Sequence, residues 1–124
     1  MYRYLGDCHN IAVAFNQELK LPICLLYGLR QDPGDRPEHI MIHVGVIYKD
    51  LFLDEKGLNN SPESLLLDLI DMNPEYLETK ILYFNSCEDL DFLKILALTG
   101  ARISMDKVES FKESIVRPFK LSQF

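Results

Sequence analysis

Gly6-Asp7-Cys8-His9 and, thirty residues on, His39-Ile40-Met41-Ile42-His43-Val44-Gly45-Val46-Ile47-Tyr48 followed by Leu51-Phe52-Leu53-Asp54-Glu55-Lys56-Gly57 are the stretches that decide the fold of this chain. Asp7 is a helix-capping residue type. Cys8, Ile11, Ala12, Phe15 and Leu19 then recur at i, i+3, i+4, i+7 and i+11, a single helical stripe. Residues 8–20 are therefore expected as a helix with Cys8 in its first turn, on the buried face. The later stretches are rich in β-branched and aromatic residues, and Lys49-Asp50 divides them as the turn of a hairpin.

The rest of the chain is read outward from these. Pro22 ends the first helix, and Ile23 to Leu29 has the length and apolarity of a buried strand. Arg30 to Glu38, with Asp32-Pro33-Gly34-Asp35, is a loop. Gly57-Leu58-Asn59-Asn60 is expected to leave the sheet. Ser61 caps a helix whose first turn tolerates Pro62, and which runs to about Asp71. Asn73-Pro74 is a break, and Lys80 to Phe84 is a strand. Ser86 and Asp89 resemble a capping box for a helix that stops at Gly100. Ser104 caps a last helix through Val108, Phe111 and Ile115, ended by Pro118. The order predicts one α+β domain over residues 1–124, with an antiparallel sheet. Leu66, Leu69, Leu93, Leu96 and Phe111 are expected to be buried over it, and Glu63, Asp68, Asp71, Glu75, Glu78 and Asp91 to remain outside.

A two-residue turn at Lys49-Asp50 sets the register. Tyr48 faces Leu51, Ile47 faces Phe52, Val46 faces Leu53 and Gly45 faces Asp54. His43 is then diagonal to Asp54 on one sheet face, within side-chain reach. His39 has the same parity but lies about 13 Å further along the strand, at roughly 3.3 Å per residue. Ile42, Val44, Val46, Leu51 and Leu53 make the opposite, core face. Gly45 is expected to leave room for another backbone, that of the Cys8 helix.

Cysteine, histidine and a carboxylate in this arrangement are a thiol nucleophile, its base and an orienter. A helix N-terminus and an imidazolium both stabilise a thiolate. Asp7 opposes this unless its charge is directed to the backbone N–H groups it caps. The Cys8 backbone N–H is a natural oxyanion donor, with Tyr2 and Tyr4 as upstream candidates for a second. Gly45 also belongs to the expected substrate-lining set. His9 either lines the cleft or is exposed. Cys24 reads as core and Cys87 as inert beside Glu88 and Asp89.

Asp7-Cys8 opening a helix, then His43-Val44-Gly45-Val46-Ile47-Tyr48, resembles the papain-like cysteine hydrolases, particularly the NlpC-type amidases. The Cys helix packed on a sheet carrying His and Asp is also similar to transglutaminases. The likeness covers residues 6–57 and implies Cys8 as nucleophile, His43 as base and Asp54 as orienter. It departs from the NlpC pattern in the short Cys8-to-His43 spacing, in His9-Asn10 where Ser-Gly is usual, and in Asp where the third residue is often His. The implied activity is a small cysteine hydrolase or acyl-transfer enzyme acting on an amide-type bond of a protein or peptide: a peptidase, amidase or deamidase.

Composition bounds this reading. With 124 residues, 48% hydrophobic and 26% charged, the chain is an ordinary globular sequence that can bury a core. The net charge of −6 is uneven, about −7 over residues 61–91 and +3 over residues 92–124. No basic stripe with interleaved aromatics suggests nucleic acid. No apolar run suits a membrane, and Met1 to Asp7 lacks the apolar core of a signal peptide, so a cytoplasmic protein is expected. Three widely spaced cysteines do not suggest a disulfide framework. Cys8, His9, His39, His43 and Asp54 are zinc-ligand types without zinc-site spacing, so neither metal nor cofactor is expected.

Plainer readings exist for each residue alone. A cysteine on an apolar stripe is ordinarily core, a strand histidine is ordinarily structural, and Asp54-Glu55-Lys56-Gly57 reads as turn chemistry. Their agreement in one register favours catalysis. The alternative is a non-catalytic papain-like binding or inhibitory module that engages a basic protein through the acidic surface of residues 61–91.

Overall fold

A computed structural model describes residues 6–30, 36–72 and 76–123. Helix α1 (Cys8–Leu19) is followed by strands β1 (Ile23–Arg30), β2 (Glu38–Tyr48), β3 (Leu51–Asp54) and β4 (Gly57–Leu58). Then come α2 (Pro62–Met72), β5 (Tyr76–Phe84), α3 (Leu90–Thr99) and α4 (Met105–Phe111), a π-helical segment (Lys112–Val116) and α5 (Arg117–Gln123). The five strands form one antiparallel sheet in the order β4-β3-β2-β1-β5. The chain is thus α+β, as its element order implies. Among the described residues no helix is long and apolar enough to cross a membrane.

The sheet separates two apolar clusters. On one face α1 packs with Ile23, Leu25, Val44, Val46 and Leu53, under Phe92 and Leu96 of α3 and Val108 of α4. On the other, Cys24, Leu26 and Phe52 meet Leu66 of α2. Helix α1 lies between the sheet and α4 with the π-helical segment, so every residue from Cys8 to Asn16 is buried, not one stripe alone. Its buried Asn16 is satisfied by contacts outside the helix. Asn16 donates to the carbonyls of Leu21 and Asn85 and accepts from the Cys87 N–H. Unpaired, such buried groups would each cost about 1–3 kcal/mol.

The hairpin register matches the expectation at Tyr48↔Leu51, Ile47↔Phe52 and Val46↔Leu53. Lys49 and Asp50 both take left-handed backbone, with φ of 52° and 66°, as a two-residue turn matched to strand twist requires. Several expectations need correction. Gly57-Leu58 stays in the sheet as β4, pairing back on β3. β5 begins four residues before Lys80. Asp89, not Ser86, caps α3 by accepting from the Asp91 and Phe92 N–H groups. Pro118 does not end the last helix. It lies inside the continuous helical run of residues 105–123, directly after the π turn, where the Arg117 N–H bonds the Lys112 carbonyl five residues back. Leu93 is 38% exposed while Phe92 is fully buried, because the buried stripe of α3 runs through Phe92 and Leu96, four residues apart. Leu66 and Leu96 are buried, and Leu69 and Phe111 half-buried, as the covering role requires.

β2 carries a bulge that the sequence does not announce. Leu26 pairs with His43, but Tyr27 pairs with Met41, so Ile42 is an extra residue. The bulge reverses the alternation of β2. Ile42 packs on the α2 side with Ile47 and Phe52, not with Val44 and Val46 as expected. Met41 packs on the α1 side.

Candidate active site

Cys8 opens α1 and is only 3% exposed. β2 and β3 pair no further than Val46↔Leu53, and the Val44 N–H beyond that point hydrogen-bonds the Cys8 sulfur. Burial is the largest influence on the thiol and pushes its pKa up. Hydrogen bonding from His43, then from His9, the His43 charge and the Val44 N–H outweigh it, bringing the thiol from 9.0 down to about 7.

His43 reaches Asp54 as the hairpin register requires, with Nε2 2.8 Å from Oδ2. That leaves Nδ1 for the thiol, with which His43 also hydrogen-bonds. Burial pulls the imidazole pKa down, but the Asp54 hydrogen bond, the Cys8 hydrogen bond and both opposing charges raise it to about 10. Asp54 is buried, which pushes its carboxyl up. The His43 hydrogen bond and the Lys56 N–H, 2.9 Å from Oδ1, hold it below its ordinary value. The turn Asp54-Glu55-Lys56-Gly57 therefore does two things at once: one carboxylate oxygen closes the turn and the other orients the histidine. Asn59 adds a further hydrogen bond to Asp54 and donates to the Phe52 and Gly57 carbonyls.

The structure thus brings Cys8, His43 and Asp54 together. Two supports were not singled out from the sequence. Phe52 lies against the His43 ring, with centroids 5.3 Å apart, and was readable because Phe52, His43 and Asp54 share one parity in the predicted register. The Val44 N–H on the sulfur left no sequence signal, because it depends on where β3 stops. Gly45 plays a different part from the one expected. A Cβ there would sit 2.5 Å from the Leu53 carbonyl oxygen and 2.6 Å from the Phe52 ring. Its space is taken by β3, not by α1.

His39 stands apart from the three. Its Nδ1 lies 2.6 Å from the Tyr27 hydroxyl. The bulge at Ile42 removes the parity it was expected to share with His43. Asp7 precedes α1, but its side chain caps no backbone N–H. At ψ 0° it lacks the extended backbone usual for a capping residue, and Lys107 of α4 takes its carboxylate at 3.0 Å. The lysine, not the helix, offsets the charge beside Cys8.

A groove of about 430 Å³ runs past the N-terminus of α1, lined by Asp7 and His9, by His39 and Met41 of β2, and by Gly100 to Arg102. Cys8 is buried between the two α1-end residues that line it. His9 is buried as well, with Nε2 2.5 Å from the Arg102 carbonyl oxygen. Asn10 accepts from the Ser104 N–H at 2.9 Å. The last third of the chain therefore builds the groove's second wall. Glu63, Asp68, Asp71, Glu78 and Asp91 are exposed, and none lines the groove. α2, which bears the first three, covers the opposite sheet face. Tyr2, Tyr4, the loop residues 31–35 and Glu75 lie outside the described residues.

The other cysteines differ from Cys8. Burial and the Glu63 charge push the Cys24 thiol up to about 12. Cys87 is buried and accepts a long hydrogen bond from Gln17. Of the five zinc-ligand types, only His43 and Asp54 fall in a cluster among the described residues. Glu55 joins them, with ligand atoms within 4.8 Å of one another. In that cluster His43 Nε2 and Asp54 Oδ2 already face each other. Comparison with protein-family models, curated proteins and solved structures finds no match to any of them.

Proposed function

We propose that this protein is a papain-like cysteine hydrolase or acyl-transfer enzyme acting on an amide-type bond. The observation that carries the reading is one imidazole held between two partners. His43 meets a buried carboxylate at Nε2 and a helix-terminal thiol on its other side, and that thiol ionises near neutrality despite burial.

The resting pair is a Cys8 thiolate with a His43 imidazolium. The sulfur attacks the carbonyl carbon, and the electron pair of the C=O bond moves onto oxygen. In this reading the Cys8 backbone N–H at the helix start would serve as a donor to that oxyanion. As the tetrahedral intermediate collapses, the C–N bond breaks and His43 gives its proton to the departing nitrogen. The acyl group is left as a thioester. Water, or another nucleophile, then loses a proton to His43 and attacks the thioester, and the thiolate leaves. Asp54 makes no bond in this sequence. It fixes the ring and stabilises its charged form.

The groove beside Cys8 suits an extended peptide or side-chain amide. The acidic segment lies off that groove, so it lends no support to a basic substrate steered to the nucleophile. Its exposed carboxylates on α2 and β5 suit a separate contact with a basic protein, compatible with catalysis or without it.

Selective alkylation of Cys8 at about pH 6, read by mass spectrometry on the intact protein, tests the reading, because a paired thiolate reacts there and a core thiol does not. Preferential labelling of Cys8 over Cys24 and Cys87 is expected. Equal or absent labelling of Cys8 in the folded protein would leave the non-catalytic module as the better account.

A further inference from the structure

We propose that His9 is a second imidazole partner of the Cys8 sulfur, locked by the Arg102 carbonyl so that its Nδ1 holds a proton toward the thiolate. The proposal rests on the reading of Cys8 as a nucleophile and adds a residue to that site.

His9 follows the nucleophile in the first turn of α1 and is 4% exposed. A carbonyl oxygen only accepts, so the contact with Arg102 places a proton on Nε2 and fixes the ring. Nδ1 is then the atom left over. It is one of three buried side-chain atoms among the described residues with no well-formed hydrogen bond. Buried polar atoms in native proteins are nearly always partnered, so an exception calls for an explanation. The neighbour available to Nδ1 is the Cys8 thiol, whose interaction with His9 is weaker than that with His43. Against a neutral thiol a bare Nδ1 can only accept. Against a thiolate it serves only by carrying a proton.

The surroundings favour that protonated form. Burial opposes it, but the contact with Cys8, the Arg102 carbonyl and the charges of Cys8 and Asp7 raise the His9 pKa. The other charged and titratable groups around it are His43 behind the sulfur, Glu38 and His39 of β2, Arg102 itself, and Lys107, which is paired with Asp7. The two imidazoles then divide the work. His43 delivers its proton to the leaving nitrogen and recovers one from water. His9 keeps its proton throughout and stabilises the sulfur whenever it is anionic, in the resting enzyme and as the thioester breaks. The arrangement also ties the nucleophile to the wall of the groove, because the residue that holds His9 belongs to that wall.

The test is the pH dependence of Cys8 alkylation by iodoacetamide in the full chain. His9→Gln keeps a donor for the Arg102 carbonyl but has nothing at Nδ1, whereas His9→Asn restores a donor near Nδ1. His9→Gln should move the alkylation midpoint upward by about one pH unit, the size of a single nearby charge, and His9→Asn should move it less. A peg that merely ties α1 to the wall would lower the melting temperature in both variants and leave the midpoint where it is; that result overturns the proposal. A second measurement needs no change at His9: the NMR titration of its ring in the wild type and in Cys8→Ala. Its midpoint should fall when the thiolate is removed, and an unmoved midpoint overturns the proposal even if the His9 variants do not fold. A wild-type Cys8 that alkylates like an ordinary thiol, unaffected by His43→Ala, would instead refute the nucleophile reading beneath it.

Discussion

Replacing His43 with alanine should return the Cys8 thiol to ordinary or poorer reactivity, and the size of the loss follows from the site. The thiol ionises at about 7 where an unperturbed one would need 9.0. That difference corresponds to about 2.7 kcal/mol in favour of the anion. At about pH 6 the thiolate fraction is near 9%, against about 0.1% for the unperturbed group, roughly a 100-fold gain. A less basic sulfur is also a weaker nucleophile, by about eightfold for a Brønsted coefficient of 0.4–0.5. The net advantage in alkylation is therefore about tenfold. His43 supplies the strongest of the interactions that lower the thiol pKa, while burial, the largest opposing influence, remains after its removal. Asp54 would then be buried nearby without its partner, which opposes ionisation further. His43→Ala should cut the rate of iodoacetamide labelling at about pH 6 by tenfold or more and shift the profile toward alkaline pH. His39→Ala removes a partner of Tyr27 and none of the interactions that lower the thiol pKa, so it should leave both unchanged. Circular dichroism would establish that each variant is folded. A folded His43→Ala protein with the wild-type profile would refute the pairing.

Asp54→Asn should lower turnover while sparing some of it, because the amide can still meet the ring but cannot stabilise its charge; single-turnover kinetics on an activated ester would measure the residue. The same pair makes stability depend on pH. The lowered Asp54 pKa contributes above about 3.9 and is lost as pH falls through the folded value; the raised His43 pKa contributes fully below about 6.5 and is lost as pH rises toward about 10. The melting temperature of the wild type should exceed that of Asp54→Asn most between these limits, and the gap should close toward alkaline pH. Gly45→Ala places a methyl 2.5 Å from a backbone oxygen and against the ring that supports His43, so urea melts should show a loss of about 1–3 kcal/mol, with labelling of Cys8 at mildly acidic pH reduced. Lys49→Asn with Asp50→Gly suits the two left-handed turn positions and should raise the melting temperature by a few degrees.

The hairpin and its contacts were legible because strand alternation is rigid arithmetic: once Lys49-Asp50 is a two-residue turn, the diagonal relation of His43 to Asp54 follows. The helix was legible for the same reason, from its 3.6-residue period. What was not legible depends on energies that no single segment contains. The bulge at Ile42 lies in the β1–β2 ladder beyond the reach of β3, and neither sequence motif records it. The fate of Asp7 was decided by a lysine one hundred residues away, and His9 by a carbonyl ninety-three away. Pro118 misled because its effect depends on the turn before it, which is π-helical. Residues 61–124 gave a sequence signal for covering the sheet but none for enclosing the groove, since the enclosing contacts are backbone groups of Arg102 and Ser104.

Those contacts give the site a timing. His9, Asn10 and Asp7, at one end of the described chain, are fastened to Arg102, Ser104 and Lys107, toward the other. Such distant pairings form late, because a long loop must close before they repay its entropy. During synthesis the helix, the hairpin and Cys8, His43 and Asp54 all emerge before the segment that walls them in. Until residue 107 has emerged and docked, the Asp7 carboxylate stands beside Cys8 without its counter-charge and His9 has no carbonyl to fix its ring. The nascent chain then lacks the fixed His9 contact, one of the interactions that favour the Cys8 thiolate. If Cys8 is the nucleophile proposed above, its full reactivity would come only with completion of the fold, after the residue itself has appeared.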